Sequence, residues 1–468
     1  MKLKQREVVF EENKNTSIFS DISGEGWKKT KYIFFMSTIL ILASSLIGVI
    51  EDRNFNNSNV LYILSNIFSL ITDGLILFIT AFSLTKLILF VCLSLKYTLQ
   101  KKKNSILYNE DYLVSVIISA YNEEKVICKT INSILKNNYR NFEIIVVNDG
   151  STDRTLETIE ERFAESKYVT IIDKLNSGKS DSINLGVKEA KGEIMVLIDA
   201  DTIIDKNAIS NLVRHFYDKN VAAVCGNILV GNRKNFITRL QNIEYITSLN
   251  FDKKALAEIN SVDVVAGALG AWRIEYIKDL NGFKMDTLVE DRDLTLNLLA
   301  QRYTVKYDDE AFAYTEAPEN IDSLVRQRHR WCFGTLQCIW KNRNKIFRKS
   351  LGILGLVTLP YMIISYLLPL VSFTLPLLCM IEYIISGDFK LLFITYIVSL
   401  ISDYIIVIYS FILSGKRINK KDVVLVIFFR TINKYFLVYI LLKSIKSILS
   451  GSFVGWDKLN RTGNVSYQ

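Results

Sequence analysis

Nineteen consecutive residues, 32 to 50 (YIFFMSTILILASSLIGVI), carry no charge, and a helix needs about 20 apolar residues to cross the hydrocarbon of a bilayer. Thirty-one mostly polar residues precede this run and no small-residue cleavage site follows it, so a transmembrane span fits better than a signal peptide. A second apolar block, about 60 to 95, is long enough for one tilted helix that continues past the bilayer, with Lys86 in its interfacial part. A third region comprises 351 to 385, 389 to 413 and 423 to 449, entered through the basic stretch KNRNKIFRK. Pro360, Pro369 and Pro376 lie in its first block, where proline breaks or kinks a helix, so an interfacial helix plus a span is expected there. Arg430 and Lys434 interrupt the last block, which either spans, re-enters or lies in the interface. Five spans are expected, with the side of the C-terminus open.

Flanking charges set the orientation. Lys28, Lys29 and Lys31 precede the first span and Lys96, Lys101, Lys102 and Lys103 follow the second, whereas the loop EDRNFNNSN holds a single Arg. Basic residues stay on the cytosolic side; Lys416, Arg417, Lys420 and Lys421 place a later loop there as well. The expected organisation is a cytosolic tail over 1–31, two transmembrane helices over 32–96, a cytosolic domain with interfacial helices over 97–340, and about three spans with a tail over 341–468. That makes a multi-pass cell-membrane protein.

The middle must be water-facing. Half of the 468 residues are hydrophobic and the mean hydropathy is +0.21, yet 22% are charged, close to an ordinary globular chain. A disordered, collagenous or coiled-coil protein is excluded. The net charge of +9 sits largely beside apolar segments, pointing to a lipid bilayer and not to nucleic acid. Six cysteines, with no C-x-x-C pair, argue against a disulfide framework or structural zinc. With only His215 and His329 available, carboxylates are the working groups to expect.

Between 111 and about 300 short β-rich runs alternate with helical patterns: VSVIISA (114–120), FEIIVVND (142–149), VTIID (169–173) and EIMVLIDAD (193–201), with helices after Asn122, at about 153–164 and at about 180–190. Asn122 reads as a helix cap, with Ile127, Ile131, Ile134 and Leu135 on one face. The series predicts an α/β fold with a mostly parallel, doubly wound sheet. Ligands bind beyond the carboxyl ends of such strands, which directs attention to Ser119–Glu124, Asn148–Asp153 and Asp199-Ala200-Asp201.

Asp199 and Asp201 at the end of a buried strand repel one another, and a hard divalent cation would relieve that; a turn or cap is the structural alternative. Lys174–Lys179 (KLNSGK) offers a close-approach glycine and an ammonium to a diphosphate, without the spacing of a Walker loop or a dinucleotide fingerprint. The small residues of VVAGALGAWR (264–273) suit either a large ligand or close packing. Glu290 or Asp291 is either a first-turn helix acid or a general base for a sugar hydroxyl. In Gln327-Arg328-His329-Arg330-Trp331, Gln327 and Arg330 suit phosphate oxygens and the Trp331 indole suits a sugar face, unless the segment is an interfacial basic helix.

The ordered set Ser-Ala-Tyr-Asn-Glu-Glu, Asn-Asp-Gly-Ser-Thr-Asp, Asp-Ala-Asp, Glu-Asp and Gln-x-x-Arg-Trp, over about 112–340, resembles the processive, inverting members of glycosyltransferase family two. That group holds the cellulose, hyaluronan, chitin and poly-N-acetylglucosamine synthases. TEAPENIDSLVRQRHRWCFGTLQ and Trp456–Arg461 look most like the bacterial poly-β-1,6-N-acetylglucosamine synthases. The resemblance implies a cytosolic glycosyltransferase A-type (nucleotide-diphospho-sugar transferase) domain between membrane helices. It implies Tyr121, Glu123, Asp149 and Lys179 at the nucleotide, Asp199 and Asp201 at the nucleotide sugar, and Mg2+ or Mn2+ on Asp201. It also implies Asp291 as base, and Gln327, Arg330 and Trp331 at the diphosphate and acceptor. Asn148 departs from the pattern, since many relatives carry an acid there. The expected activity is processive β-transfer from a UDP-sugar, UDP-N-acetylglucosamine by resemblance, to a growing biofilm exopolysaccharide passed across the membrane, in some relatives with a small membrane partner. A non-processive enzyme making a glycolipid, a hyaluronan- or cellulose-type synthase, and a non-enzymatic transporter or scaffold are the competing readings.

Overall fold

In a computed structural model, residues 60–103, 112–370, 390–415, 420–452 and 461–467 are described, with Phe373, Val454 and Gly455 besides. The expected first span (32–50), the N-terminal tail, the block around Pro376 and the stretch Trp456–Asn460 lie outside them.

Alternation of apolar side chains along the strands builds two cores, one on each face of a single sheet. In β1 (Val114–Ala120), Val114, Val116 and Ile118 join one buried cluster while Ile117 joins the other. Ile144 and Val146 against Ile145 and Val147 divide the same way in β2 (Phe142–Asp149). This is the period-2 consequence of a pleated strand buried on both sides. Each such side chain contributes roughly 1.5–3 kcal/mol relative to exposure. Helix α1, Val60–Lys103, precedes the sheet; the intervening helix α2 (Ile127–Leu135) lays Ile127, Ile131 and Ile134 on the first core.

The chain continues through α3 (Thr155–Phe163), β3 (Val169–Lys174), α4 (Lys179–Glu189), β4 (Ile194–Leu197) and β5 (Thr202–Ile204). Next come α5 (Ala208–Val213), β6 (Val221–Val230), α6 (Phe236–Glu244), α7 (Asp252–Glu258), β7 (Gly270–Arg273) and α8 (Ile274–Asp279). Then follow α9 (Glu290–Ala300), β8 (Thr304–Thr315) and α10 (Ile321–Lys341), and the apolar helices α11 (Leu354–Leu370), α12 (Lys390–Ser414) and α13 (Lys420–Leu449).

The eight strands run in the order β3-β2-β1-β4-β7-β6-β8-β5. Only the first four form the expected parallel series; β7 is antiparallel to both neighbours, β6 and β8 are parallel, and β5 is antiparallel to β8. The sheet is therefore mixed. EIMVLIDAD is not one strand: pairing with β1 ends at Leu197, the backbone turns through Asp199–Asp201, and β5 returns on the far edge against Thr315. Both strands are fully buried, and the two acids Asp199 and Asp201 lie in the turn between them. The carboxyl ends of β1, β2, β4, β6 and β8 all open on one rim.

Helix α1 runs 44 residues, about 66 Å at 1.5 Å per residue, twice the hydrocarbon thickness of roughly 30 Å. Its later turns are tied to the α/β domain: Lys86 to Asp252 at 3.3 Å, Lys96 to Glu258 at 2.7 Å, and the Tyr97 hydroxyl to the Tyr307 carbonyl at 2.9 Å. The expected division at residue 96 thus falls within one continuous helix. Among the described residues, Thr80–Lys101 is long and apolar enough to cross a membrane by length and composition, while Leu354–Leu370 and Ile401–Ser414 are apolar but shorter. Pro360 does not break α11: a π-turn at Leu354–Thr358 widens the helix just ahead of it, which accommodates a ring that clashes with the carbonyl four residues back.

Candidate active site

The loop after β1 is shaped by Asn122. Its φ of +56° is left-handed, a conformation Asn tolerates. The side-chain oxygen accepts the backbone N–H groups of Thr152 at 2.6 Å and Asp153 at 3.2 Å. Asn122 stitches the β1 and β2 loops together and caps no helix; α2 starts later, at Ile127, without a side-chain cap. Glu123 is held at the rim, its N–H donating to Thr155 Oγ1 at 2.7 Å.

Asp149 clamps the next loop. Its carboxylate accepts the N–H groups of Ser177 and Gly178, both at 3.0 Å, and pairs with the Lys174 ammonium. That approach requires Gly150, whose φ is +64° and where a Cβ would lie 2.6 Å from the Asn176 nitrogen. Neighbouring Asn148 donates to Asp173 Oδ1 at 2.7 Å, leaving its buried carbonyl oxygen without a hydrogen-bond partner among the described residues.

Lys179 opens α4 and places its ammonium 2.6 Å from Asp199 and 3.4 Å from Glu290. Burial disfavours its charge, but Asp199 and Glu290 outweigh that and hold its pKa above the ordinary lysine value. Burial also raises the Asp199 pKa; Lys179 overcomes this and leaves it below the usual aspartate value. Glu290 moves the other way, raised by burial and the adjacent Asp291 against Lys179. Of the two glycines first read as either packing or ligand approach, Gly267 borders this cluster: a Cβ there would sit 3.2 Å from Lys179 Nζ. Gly270 serves packing, since its Cβ would overlap Trp272 and Val265.

Asp201 is buried, with Thr202 and Thr315 hydroxyls at 3.1 and 3.4 Å from Oδ1 and Arg461 at 2.6 Å from Oδ2. Burial raises its pKa, Arg461 opposes, and Asp199 adds to the rise. Arg461 belongs to a strap at 461–467: the N–H groups of Thr462 and Gly463 donate to Glu316 at 2.6 and 3.1 Å, and the Tyr467 hydroxyl donates to the Ile204 carbonyl at 3.2 Å. Nothing in the expected site included this arginine. The available signal was the segment Trp456–Arg461, which carries part of the family resemblance but was assigned no role in the site.

Asp291 sits in the first turn of α9, where acids favour the helix N-terminus, behind the N-cap residue Val289. One oxygen accepts the Gly267 N–H at 3.1 Å and the other the Arg292 N–H at 2.7 Å. Each retains a lone pair for a further proton. On α10, Arg328 stacks 4.3 Å over the Trp331 ring, pairs with Glu244 at 2.7 Å, and donates to the Gln327 side-chain oxygen at 2.6 Å. Gln327 is thereby left its amide hydrogens to offer a ligand.

Tyr121, Glu123, Asp149, Lys179, Asp199, Asp201, Asp291, Gln327, Arg330 and Trp331 all line one cleft of about 350 Å³. Arg461 lines it as well, and it extends to Tyr366 on α11. Among the described residues no group of three or more His, Cys, Asp or Glu forms a cage for a metal. The oxygen donors of Asp199 and Asp201 nevertheless suit Mg2+ or Mn2+, which bind through one or two carboxylates plus substrate phosphates, and the Arg461 guanidinium stands at Asp201 where such a cation's charge would go.

An α/β sheet with convergent acids and cations at its rim is the architecture of a nucleotide-sugar transferase. Residues 115–280 match the family described as Glycosyl transferase family 2, so the chain carries a family-two glycosyltransferase domain. It resembles the poly-beta-1,6-N-acetyl-D-glucosamine synthases of Staphylococcus aureus, 29% identical over 243 residues (51% of this chain, 58% of that one), and Staphylococcus epidermidis, 30% identical over 265 residues (54% and 64%). The match therefore spans about three fifths of these relatives' length. A mannosyltransferase from Pyrobaculum calidifontis, solved in complex with GDP-Man and Mn2+, shares the fold with a TM-score of 0.56 at 18% identity, covering 80% of this chain and 99% of its own.

Proposed function

We propose that this protein is a membrane-embedded, processive, inverting β-glycosyltransferase that elongates a polysaccharide from UDP-N-acetylglucosamine and passes it across the bilayer. The observation that supports this most is the single cleft holding Asp201, Asp291 and Trp331 and reaching Tyr366 of an apolar helix. The poly-β-1,6-N-acetylglucosamine synthases it resembles suggest the sugar and linkage.

Tyr121, Glu123 and Asp149 take the nucleotide, and Asp199 with Lys179 the donor's sugar and phosphate. Mg2+ or Mn2+ on Asp201 would neutralise charge on the diphosphate. Asp291 accepts the proton of the acceptor hydroxyl, which attacks the anomeric carbon opposite the departing diphosphate, so a single displacement inverts the centre. Arg330 and Lys179 stabilise the leaving group by charge-assisted hydrogen bonds, and Trp331 holds the terminal sugar at the entrance to the apolar helices. The catalytic domain faces the cytosol in a multi-pass protein.

The full chain in sealed vesicles, given a panel of radiolabelled UDP-sugars with Mn2+ or Mg2+, should make polymer from UDP-N-acetylglucosamine that a β-1,6-specific glycosidase digests and that reaches the opposite side. Short glycolipid products would select the non-processive alternative. No transfer from any UDP-sugar, with no UDP binding, would end the enzymatic reading.

A further inference from the structure

A second, smaller cavity of about 80 Å³ lies behind the cleft, between α10 and α13. That is several times the roughly 10–15 Å³ that admits one water. Arg326, Gln327, His329 and Arg330 line it from adjacent turns of α10, Lys443 from the last turns of α13, and Val454 and Gly455 line it as well. Among the described residues no carboxylate lines it. The contrast with Arg328 on the same helix is direct, since that residue turns away to pair with Glu244. Arg326 donates to the Ser323 hydroxyl at 3.2 Å, and His329 Nε2 lies 3.3 Å from Ser447 Oγ.

Three cations gathered by two different helices repel one another unless an anion sits between them. Burial lowers the Arg330 guanidinium's pKa and Arg461 adds to this, while Glu290 and Asp199 of the main cleft oppose it without reversing it. A further anion on the cavity side would relieve that cost. On α13, Tyr439, Leu442 and Leu449 are exposed on turns beside Lys443, an apolar stripe adjoining a cationic pocket. This pairs a place for a phosphate with a place for acyl chains.

We propose that this cavity binds a phosphate group, presented by an anionic phospholipid whose chains lie along the Tyr439–Leu449 stripe. The phosphate chemistry stands on the cavity alone; its lipid source rests on the membrane reading above. Because Arg330 lines both cavities, the bound lipid would also steady α10 against the main cleft.

The test uses the full chain in nanodiscs of phosphatidylcholine with phosphatidylglycerol, transferred to detergent and weighed by native mass spectrometry. Wild-type protein should retain phosphatidylglycerol in preference to phosphatidylcholine. The R326Q/K443Q variant should lose that retention by about thirtyfold, at roughly fivefold per charge, with UDP binding unchanged as evidence of an intact fold. Displacement of the lipid by inorganic phosphate would support a single phosphate site. Phosphate binding that is Lys443-dependent, without lipid retention, would keep the site and overturn the lipid source. Equal retention of both lipids with no phosphate binding, or retention unchanged in the variant, would overturn the proposal. A chain that transfers no sugar yet retains phosphatidylglycerol through Lys443 would leave this inference standing while the proposed reaction fell.

Discussion

The parallel half of the sheet and the half beyond β4 build opposite sides of one cleft by different means. In the first, Asp149, Lys179 and Asp199 stand at the ends of β2, at the start of α4 and just past β4, each placed by a loop a few residues long. In the second, Asp291, Trp331 and Arg461 come from α9, α10 and a strap near the chain's end, and reach the cleft through an antiparallel β7, a mixed sheet and helix packing. Short-range geometry places the side proposed for the donor. Long-range packing places the side proposed for the acceptor, and Arg461 beside Asp201. The first half should therefore tolerate loss of a functional group without losing its shape, whereas the second should respond in product and pH behaviour.

The largest expected effect tests the second half. D291N should cut transfer by about a hundredfold to ten-thousandfold, the scale of general-base catalysis, while UDP binding in Mn2+ stays near wild type; retained polymer synthesis would break the assigned division. W331A should lower elongation about tenfold, the order of one aromatic contact, and shift product towards short oligomers on a sizing gel. Normal chain length would remove Trp331 from the acceptor.

The strap can be probed by pH. A divalent cation held by Asp201, as proposed, would need its ionised carboxylate, so affinity should fall as pH drops through its pKa. Burial and Asp199 raise that pKa and Arg461 lowers it. R461Q should therefore move the acid limb of Mn2+-dependent UDP binding to higher pH, read by calorimetry across a pH series; a limb that stays in place would show that the guanidinium does not act on Asp201. The smallest effect belongs to the first half. G150A places a Cβ against the Asn176 backbone at positive φ, costing about 1–3 kcal/mol. It should lower Tm by a few degrees and loosen the 174–178 loop, and an unchanged Tm would mean that the loop is not held as closely as the geometry requires.

Legibility along the chain follows the same division. Strands β1 to β3 and helices α2 to α4 could be read because their side chains repeat every 2 or 3.6 residues, a property of each segment alone. Asp199 and Asp201 were visible as paired acids at the end of an apolar run. Asn122 was misread because a cap and an inter-loop tie place the same side chain in the same kind of turn, and only the neighbouring β2 loop distinguishes them. The turn at Asp199–Asp201 stood as an alternative, but β5 directly after it was not read, because a three-residue strand is too short to show a period.

From the sequence alone came the alternating α/β pattern, the acids and cations of the strand-end loops, and the apolar blocks on either side, since each depends on contacts within a few residues. The tertiary structure decided that β7 enters antiparallel, that Asp291 and Trp331 face Asp199 across one cleft, and that Arg461 reaches Asp201 from far along the chain. Those placements depend on strand register and on which surfaces bury each other. No local period encodes that choice, because it is made by the free energy of the whole packed domain.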